Sequence, residues 1–262
     1  MRARNVGLWM ASKIDEVVVP PLQSFRASAD DPAPDGDFAG IFASHTGRNT
    51  TKWSHYLGIY DRLFAPYRAG FPAADGSTRP LRLLEIGVRH GGSLELWRQY
   101  FGPSATIVGI DIDPRCADAG REDLPVHIGS QADPTFLRSV VTGMGGVDIV
   151  VDDGSHVARH QRASLDTLFP LLEDGGIYVV EDTHTSYWLR YGGGYRRPGS
   201  FVSVAKGMVD GINGWYFKSP RGPRFTMAMH EIGSIEFFDS VVAIRKSVHG
   251  RPHMMATGTK SF

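Results

Sequence analysis

Residues 81–113, LRLLEIGVRHGGSLELWRQYFGPSATIVGIDID, determine the fold class. The apolar run Leu81–Ile86 is predicted as a strand, and the glycine-containing turn Gly87–Gly92 separates it from a predicted helix over Ser93–Phe101. A second apolar strand, Ala105–Ile110, follows and ends at an acidic residue. A strand, a helix and another strand in this order predict a βαβ unit with parallel strands.

The same alternation continues along the chain. Further predicted strands are Val126–Ile128, Val147–Val151 and Gly176–Val180, and further predicted helices are Pro134–Gly143, His160–Leu172 and Ser200–Val209. Two closely spaced strands, Ser234–Phe238 and Val241–Ile244, come last and predict an antiparallel strand at one edge of the sheet. The prediction is an α/β fold with a mostly parallel sheet, a terminal antiparallel hairpin and helices on both faces. This arrangement resembles the Rossmann-like, seven-stranded core of class I S-adenosylmethionine (SAM) methyltransferases.

The charge and composition argue against several classes of protein. Lys plus Arg and Asp plus Glu are both 28 in 262 residues, so no net positive charge favours binding to nucleic acid or an anionic membrane. No stretch approaches the roughly 20 apolar residues of a membrane span, and the single cysteine, Cys116, excludes an internal disulfide. We therefore expect a cytoplasmic protein. We divide it into an N-terminal arm over residues 1–50, which is expected to cover the acceptor side, and a methyltransferase domain over residues 51–262. The segment Thr51–Ala69 at the start of this domain is predicted to form one amphipathic helix that ends near Pro66.

The turn after the first strand is a candidate cofactor site. Arg89 stands where the nicotinamide fingerprint G-x-G-x-x-G, counted from Gly87, requires its second glycine. An acid followed by x-Gly, here Glu85 and Gly87, favours a ligand that has a positive centre and no phosphate, as SAM has. Asp111 follows the second strand and is predicted to accept hydrogen bonds from ribose hydroxyls, and Gly129-Ser130-Gln131 is predicted to lie near the adenine. The predicted cofactor-binding residues are Glu85, Gly87, Ser93, Asp111, Ser130, Gln131 and Asp153.

Acidic residues also follow the fourth and fifth strands. Asp152-Asp153-Gly154-Ser155-His156 ends the fourth strand, and Glu181-Asp182 ends the fifth. Because consecutive strands usually lie side by side, we expect these carboxyls at one edge of the sheet. Asp153, Glu181 and Asp182 can supply three oxygen ligands to Mg²⁺, whereas the spacing of Cys and His residues does not favour zinc. A single acid at a strand end more often only caps the next helix, which is the alternative interpretation.

A nearby histidine gives this acid cluster a chemical role. An alcohol is a poor nucleophile until it loses its proton. A cation lowers the pKa of a bound hydroxyl, and a neighbouring histidine can accept the proton. His156, three residues after Asp153, is the predicted general base, and both residues are predicted to be catalytic. His184 is the rival base and ranks lower, as a residue of a substrate-binding loop.

These motifs resemble the metal-dependent sugar O-methyltransferases typified by the macrocin and mycinamicin O-methyltransferases. The matching pieces are KWSHY (52–56), LEIG (84–87), G-x-D-I (109–112), DDGSH (152–156) and EDTHTSYW (181–188), in this order. The resemblance implies SAM binding by Glu85, Gly87, Asp111 and Gln131. It also implies Mg²⁺ on Asp153, Glu181 and Asp182, with His156 as the base. His184 stands where we expect glutamine in this family, so the acceptor contacts are expected to differ.

The resemblance also implies an acceptor hydroxyl on a sugar. The sugar would belong to a glycosylated natural product or to a cell-surface saccharide such as a methylmannose polysaccharide. His184, Tyr187 and Trp188 are predicted to contact it, and residues 187–197, YWLRYGGGYRR, are predicted to form a lid with aromatic faces for the sugar and glycines for closure. A homodimer or a higher homo-oligomer is the default expectation for an enzyme of this size.

Three other functions remain open from the sequence. A catechol or phenol O-methyltransferase also uses a cation, but its more acidic acceptor would tolerate the loss of His156. A non-catalytic binding module would bind SAM without turnover. A nicotinamide oxidoreductase is disfavoured by Glu85 and by the missing glycine at Arg89.

Overall fold

The computed structural model describes residues 35–73, 75–218 and 230–259, which contain a seven-stranded sheet. Its strands are β1 (Arg82–Ile86), β2 (Thr106–Asp111), β3 (Val126–Ile128), β4 (Val147–Asp152), β5 (Leu172–Val180), β6 (Ile232–Phe237) and β7 (Val242–Lys246). Their order in the sheet is β3-β2-β1-β4-β5-β7-β6. Strands β1 to β5 run parallel, and β7 is antiparallel to both of its neighbours. The structure therefore confirms the predicted α/β fold with a terminal antiparallel hairpin.

The edge of the sheet differs from the prediction in one detail. The antiparallel strand is not the edge strand, because β7 lies between β5 and β6. Val242 of β7 is opposite Val180 of β5 on one side and Phe237 of β6 on the other. Val242, Ala243 and Ile244 are all buried, whereas β6 is mostly half-exposed. The more apolar strand of the hairpin thus takes the interior position, and the more polar strand forms the edge.

Within the described ranges, helices cover both faces of the sheet. On one face lie α1 (Asp37–Ser44), α2 (Ser54–Phe64) and α3 (Gly92–Phe101), and on the other lie α4 (Pro134–Gly143), α5 (Ala158–Leu168) and α6 (Phe201–Ile212). Side chains alternate between the faces along each strand. Ile149 and Val151 therefore pack with α1 to α3, and Val150 packs with α4 to α6. None of the helices in the described residues is long and apolar enough to cross a membrane.

The first two helices are part of the main core. The helix predicted within residues 51–69 ends near Pro66, as predicted, because Pro66 has no N–H to continue the hydrogen bonding and α2 gives way to a 3₁₀ turn after Phe64. Its first residue is Ser54, three residues after the start of the predicted segment. Phe38 of α1 is fully buried, and its ring centroid lies 5.0 Å from that of Tyr60 and 4.8 Å from that of Trp97. The described end of the predicted arm thus packs on the core. Residues 1–34 lie outside the described residues, so the division at residue 50 stays a prediction.

Candidate active site

A cavity of about 680 Å³ lies at the carboxyl ends of β1 to β5. In open parallel sheets this is the place where ligands bind. Residues 49–53, which precede α2, also line the cavity. The predicted site residues on its wall are Gly87, Ser93, Asp111, Ser130, Gln131, Asp153, His156, Glu181 and Asp182. The structure thus brings together the candidate cofactor and metal residues that the sequence placed at separate strand ends.

Asp111 holds the turn after β1 in place. Its Oδ2 accepts hydrogen bonds from the backbone N–H groups of Val88 (2.9 Å) and Arg89 (3.0 Å). Partial burial alone would raise the pKa of Asp111, but backbone N–H donors outweigh it and lower the pKa below its usual value. Gly87 has a φ of 92°, and a Cβ on it would lie 2.2 Å from the carbonyl oxygen of Asp153. Only glycine allows this close crossing of the β1 turn and the end of β4.

Glu85 lies beneath the cavity rather than on its wall. Its side chain is fully buried and accepts hydrogen bonds from Ser93 Oγ (2.8 Å) and Trp97 Nε1 (3.1 Å). Burial raises the pKa of Glu85 to about 7, although the nearby ammonium of Lys52 opposes the increase. The direct contact of Glu85 with a cofactor stays a prediction. In the structure, Glu85 anchors the first turn of α3 through Ser93, which is itself on the cavity wall.

Asp152 and Asp153 are neighbours in sequence but have different surroundings. Asp152 is fully buried and accepts hydrogen bonds from Gln131 Nε2 (3.0 Å), Ser164 Oγ (2.6 Å) and Tyr178 OH (3.0 Å). Burial raises the pKa of Asp152 above its usual value. Because Gln131 follows β3 and lines the cavity, this network connects the end of β3 to the end of β4. Asp152 therefore supports the cavity wall, and Asp153 faces the cavity.

Asp153 and Glu181 share one buried lysine. Lys52 Nζ donates hydrogen bonds to Asp153 Oδ2 at 2.6 Å and to Glu181 Oε2 at 2.7 Å, and the lysine side chain is only 3% exposed. The other oxygen of Glu181 accepts a hydrogen bond from Tyr60 OH at 2.6 Å. Burial and the neighbouring charge of Asp153 raise the pKa of Glu181 above its usual value, although the ammonium of Lys52 opposes the increase. Burial opposes the charge on Lys52, but the surrounding carboxylates outweigh it and raise the pKa of Lys52, so the lysine is an ammonium.

Asp182 and His156 form the other side of this acid cluster. Asp182 Oδ1 accepts hydrogen bonds from Tyr56 OH (2.8 Å) and Trp53 Nε1 (3.1 Å), and its Oδ2 lies 3.5 Å from His156 Nε2. One potential ligand atom from each of Asp153, His156 and Asp182 lies within 4.8 Å of the other two. Carboxylate oxygens are the ligands that Mg²⁺ favours, and the acids outnumber the one ammonium among them. Asp153 and Asp182 therefore fit the predicted magnesium site, whereas Glu181, the third predicted ligand, is not part of this group and contacts Lys52 and Tyr60. The identity of the ligands stays a prediction.

An aromatic wall, formed by Trp53, His184, Trp188 and Tyr191, borders the acid cluster. The ring centroids of His184 and Trp188 are 4.8 Å apart, and those of Trp188 and Tyr191 are 5.9 Å apart. Trp53 lies 6.0 Å from His184, and burial lowers the pKa of His184, which favours the neutral ring. Two of the predicted acceptor residues, His184 and Trp188, thus lie in one surface. Tyr187, the third, is 41% exposed and lies outside these ring contacts.

Sequence reasoning did not identify Lys52, Tyr56 and Tyr60 as residues of the site. The two tyrosines are four residues apart on the apolar face of α2, and this spacing assigns them to the core. Their rings are indeed buried, but their hydroxyl groups reach Asp182 and Glu181. Tyrosine has an apolar ring and a polar tip, so a periodic pattern cannot distinguish the two roles. The signal in the sequence that could have identified these site residues is a lysine two residues before a helix, followed by tyrosines one turn apart in that helix.

Comparison with known proteins relates the chain to methyltransferases. A family described as a methyltransferase domain matches residues 84–183. The 8-demethyl-8-alpha-L-rhamnosyl tetracenomycin-C 2'-O-methyltransferase of Streptomyces olivaceus is 34% identical over an alignment of 249 residues, and the match covers 89% of this chain and 61% of that protein. The demethylmacrocin O-methyltransferase of Streptomyces fradiae is 31% identical over an alignment of 214 residues, and the match covers 76% of this chain and 51% of that protein.

A solved structure agrees with these sequence matches. The MycE methyltransferase from the mycinamycin biosynthetic pathway, in complex with Mg, SAH and mycinamycin VI, superposes with a TM-score of 0.67 and 29% sequence identity, covering 82% of this chain and 55% of that chain. The chain spans between 51% and 61% of the length of the two sequence relatives described above. The comparisons confirm the fold class and the resemblance to the macrocin and mycinamicin O-methyltransferases.

Proposed function

We propose that this chain, as a relative of the macrocin- and mycinamicin-type O-methyltransferases, is a Mg²⁺-dependent enzyme that transfers a methyl group from SAM to a sugar hydroxyl. The observation that carries the proposal is the convergence of Asp153, His156 and Asp182 on the wall of the cavity, with potential ligand atoms within 4.8 Å of one another. A hard cation site and a proton acceptor beside a cofactor cavity are what methylation of an alcohol requires.

The cavity is the proposed SAM site. Its volume of about 680 Å³ is suited to a ligand of nucleoside size, and Asp111 presents a charged carboxylate on its wall for ribose hydroxyls. Gly87 lets the turn after β1 approach the end of β4, and Gln131 places the β3 end beside them. The MycE relative contains SAH, the product that SAM leaves after methyl transfer.

His156 is the proposed general base. Its Nε2 lies 3.5 Å from Asp182 Oδ2, and its Nδ1 is buried without a hydrogen-bond partner among the described residues. Thr185 Oγ1 donates a hydrogen bond to the carbonyl oxygen of His156, whose φ is 56°, and so holds the backbone in this conformation. When bound, Mg²⁺ lowers the pKa of a hydroxyl that it coordinates. His156 Nε2 takes the hydroxyl proton, the oxygen forms a bond to the methyl carbon as the S–CH₃ bond breaks, and Asp182 stabilises the imidazolium.

The aromatic wall is the proposed binding surface for the acceptor sugar. Rings of this kind line carbohydrate and other small-molecule sites, and this surface ends at the acid cluster through the hydrogen bond from Trp53 to Asp182. The names of the relatives describe acceptors that carry sugars, among them a rhamnosyl group on tetracenomycin C. A glycosylated natural product is therefore the proposed acceptor. We further propose a cytoplasmic homo-oligomer, for which light scattering after size-exclusion chromatography tests the assembly.

Turnover with methyl-labelled SAM tests the function. EDTA-treated protein is assayed with and without Mg²⁺ on a deoxysugar-glycosylated polyketide, its aglycone and a catechol. We expect transfer to the glycoside alone, and only with Mg²⁺. Transfer to the aglycone or the catechol would contradict the sugar acceptor, and transfer in EDTA would contradict the metal. Calorimetric binding of SAM without transfer to any acceptor would indicate a binding module, and no SAM binding would contradict the methyltransferase function itself.

A further inference from the structure

Lys52 occupies the centre of the acid cluster. Its Nζ lies 2.6 Å from Asp153 Oδ2 and 2.7 Å from Glu181 Oε2, and Glu85 is a third carboxyl in electrostatic contact with it. The Tyr60 ring completes the surroundings, with its centroid 5.9 Å from the ammonium. A lysine this deeply buried needs paired charges, because burying an isolated ammonium is strongly unfavourable. The acids and Lys52 therefore stabilise one another in this structure.

An ion held by these two acids would need the place that the Lys52 ammonium occupies. Magnesium binds carboxylate oxygens at about 2.0–2.1 Å, so an ion held by Asp153 Oδ2 and Glu181 Oε2 would lie within the gap that Nζ now fills. A second cation at that distance would be repelled by the first, and bulk solvent would screen the repulsion weakly because the side chains of Lys52 and Glu181 are only 3% and 1% exposed. The hydrogen bond from Tyr60 to Glu181 Oε1 fixes the orientation of this carboxyl, with Oε2 directed towards Lys52 Nζ.

We propose that Lys52 Nζ and the divalent cation occupy this place alternately. Lys52 is the charge partner of Asp153 and Glu181 while no cation is bound, and it leaves when the cation binds. This inference rests on the proposed function and on the prediction that Asp153 and Glu181 are ligands of Mg²⁺. Lys52 belongs to the segment 49–53 on the cavity wall, so its departure moves a charged group on the cofactor side of the site. Lys52 is a positioning residue in this scheme, because it acts through the acids and not on the substrate.

The affinity for Mg²⁺ without substrate tests the proposal. In Lys52→Met the acids remain, but no ammonium has to be displaced, and we expect calorimetry to show a Kd for Mg²⁺ at least about tenfold lower than that of the wild type. Lys246→Met is the matched control. It removes another buried ammonium, which donates to the carbonyl oxygen of Pro170 at 2.9 Å, and should leave the Mg²⁺ affinity unchanged. Weaker Mg²⁺ binding in Lys52→Met would overturn the proposal, because Lys52 would then hold the ligands in place for the ion.

Amine labelling of the wild-type protein gives a second measurement that does not depend on a variant folding. The sequence contains six lysines, so acetylation of each can be followed by mass spectrometry. Without Mg²⁺, Lys52 should react far more slowly than the exposed Lys206. Adding Mg²⁺ should raise the rate at Lys52 severalfold and leave the rate at Lys206 unchanged. A Lys52 rate that does not change in protein that binds Mg²⁺ would overturn the proposal.

The outcomes separate this inference from the proposed function. Mg²⁺ binding with an unchanged Lys52 contradicts the exchange and leaves the methyltransferase function standing. If Mg²⁺ binds to Lys52→Met but not to the wild type, the Lys52 ammonium excludes Mg²⁺ from the site. That result would contradict the Mg²⁺ dependence of the natural enzyme. The absence of Mg²⁺ binding in both proteins contradicts both proposals.

Discussion

Glu85 should make the protein less stable as the pH rises. Its carboxyl is fully buried, with hydrogen bonds from Ser93 Oγ and Trp97 Nε1, and burial raises its pKa from 4.5 to about 7. The informative substitution is Glu85→Gln. A glutamine has the same shape, can still accept the Trp97 hydrogen bond and can donate to Ser93 Oγ, but it does not titrate.

The size of the effect follows from the difference between the two pKa values. The folded state holds the proton of Glu85 more tightly than the unfolded state, over a difference of about 2.5 pH units, which corresponds to roughly 3 kcal/mol. This contribution is fully present below a pH of about 4.5 and is lost as the pH rises through about 7. The free energy of unfolding of Glu85→Gln should therefore rise relative to that of the wild type over this interval. The gain should level off at up to about 3 kcal/mol near pH 8.

Urea unfolding of the wild type and Glu85→Gln, repeated from about pH 5 to pH 8.5, measures this difference. Glu122→Gln is the control, because Glu122 is exposed and its substitution should change the free energy of unfolding by about 0.5 kcal/mol or less. Equal stability differences at both ends of the pH range would refute the reasoning. So would a difference that shifts in favour of the wild type at high pH, since Glu85 would then be stabilised as a carboxylate. SAM affinity measured on the same variant shows separately whether Glu85 acts on the cofactor.

Three further substitutions test other parts of the structure. Asp148→Ala should lower the free energy of unfolding by about 3 kcal/mol in urea, because the buried carboxylate pairs with two arginines, whereas Asp166→Ala, in an exposed ion pair, should change it by about 0.5 kcal/mol or less. Equal decreases in the free energy of unfolding for Asp148→Ala and Asp166→Ala would contradict the larger contribution of the buried ion pairs. Gly87→Ala should raise the calorimetric Kd for SAM about tenfold or more, because its Cβ would meet the end of β4, and Gly250→Ala, with no atom within 4 Å, should not. His156→Asn should lower kcat about 10²- to 10⁴-fold with an unchanged Kd for SAM, and near-normal turnover would exclude it as the base.

The fold could be predicted because its strands are short apolar runs bounded by glycines and acids. Val126–Ile128 and Pro134–Gly143 have the predicted limits, and the other central strands differ by a few residues at their ends. The position of β7 between β5 and β6 could not be predicted in the same way. A hairpin pattern shows that two strands pair with each other, but not which of them also pairs with a strand about 60 residues earlier, which depends on long-range packing.

The sequence predicts only those residues of the site that follow the ends of the parallel strands. Asp153 and Glu181 were expected together because each follows a parallel strand, and the shared contact with Lys52 brings them together. Lys52 itself is separated from them by 101 and 129 residues. No periodicity connects residues at that distance, and the resemblance of KWSHY to a family motif marked the segment without giving the lysine a role. The partner of the acids therefore required the structure.

The strand alternation nevertheless contains a rule that separates the acids into two groups. Val151 and Val179 pack against α1 to α3, and Asp153 and Glu181 follow them by two residues, so their side chains continue on the same face, where Lys52 and Tyr60 lie. Asp152 follows Val150 by two residues and therefore lies on the opposite face, among donors from α5 and β5. The pair Asp152-Asp153 thus has one acid that supports the cavity wall and one that faces the cavity. The same counting places Glu85 with Leu83 on the α3 side, beneath the turn that it anchors. The rule ends where the extended backbone ends: Asp182 follows Val180 of the opposite face by two residues, but with a φ of 52° its side chain reaches Tyr56 on the α2 side.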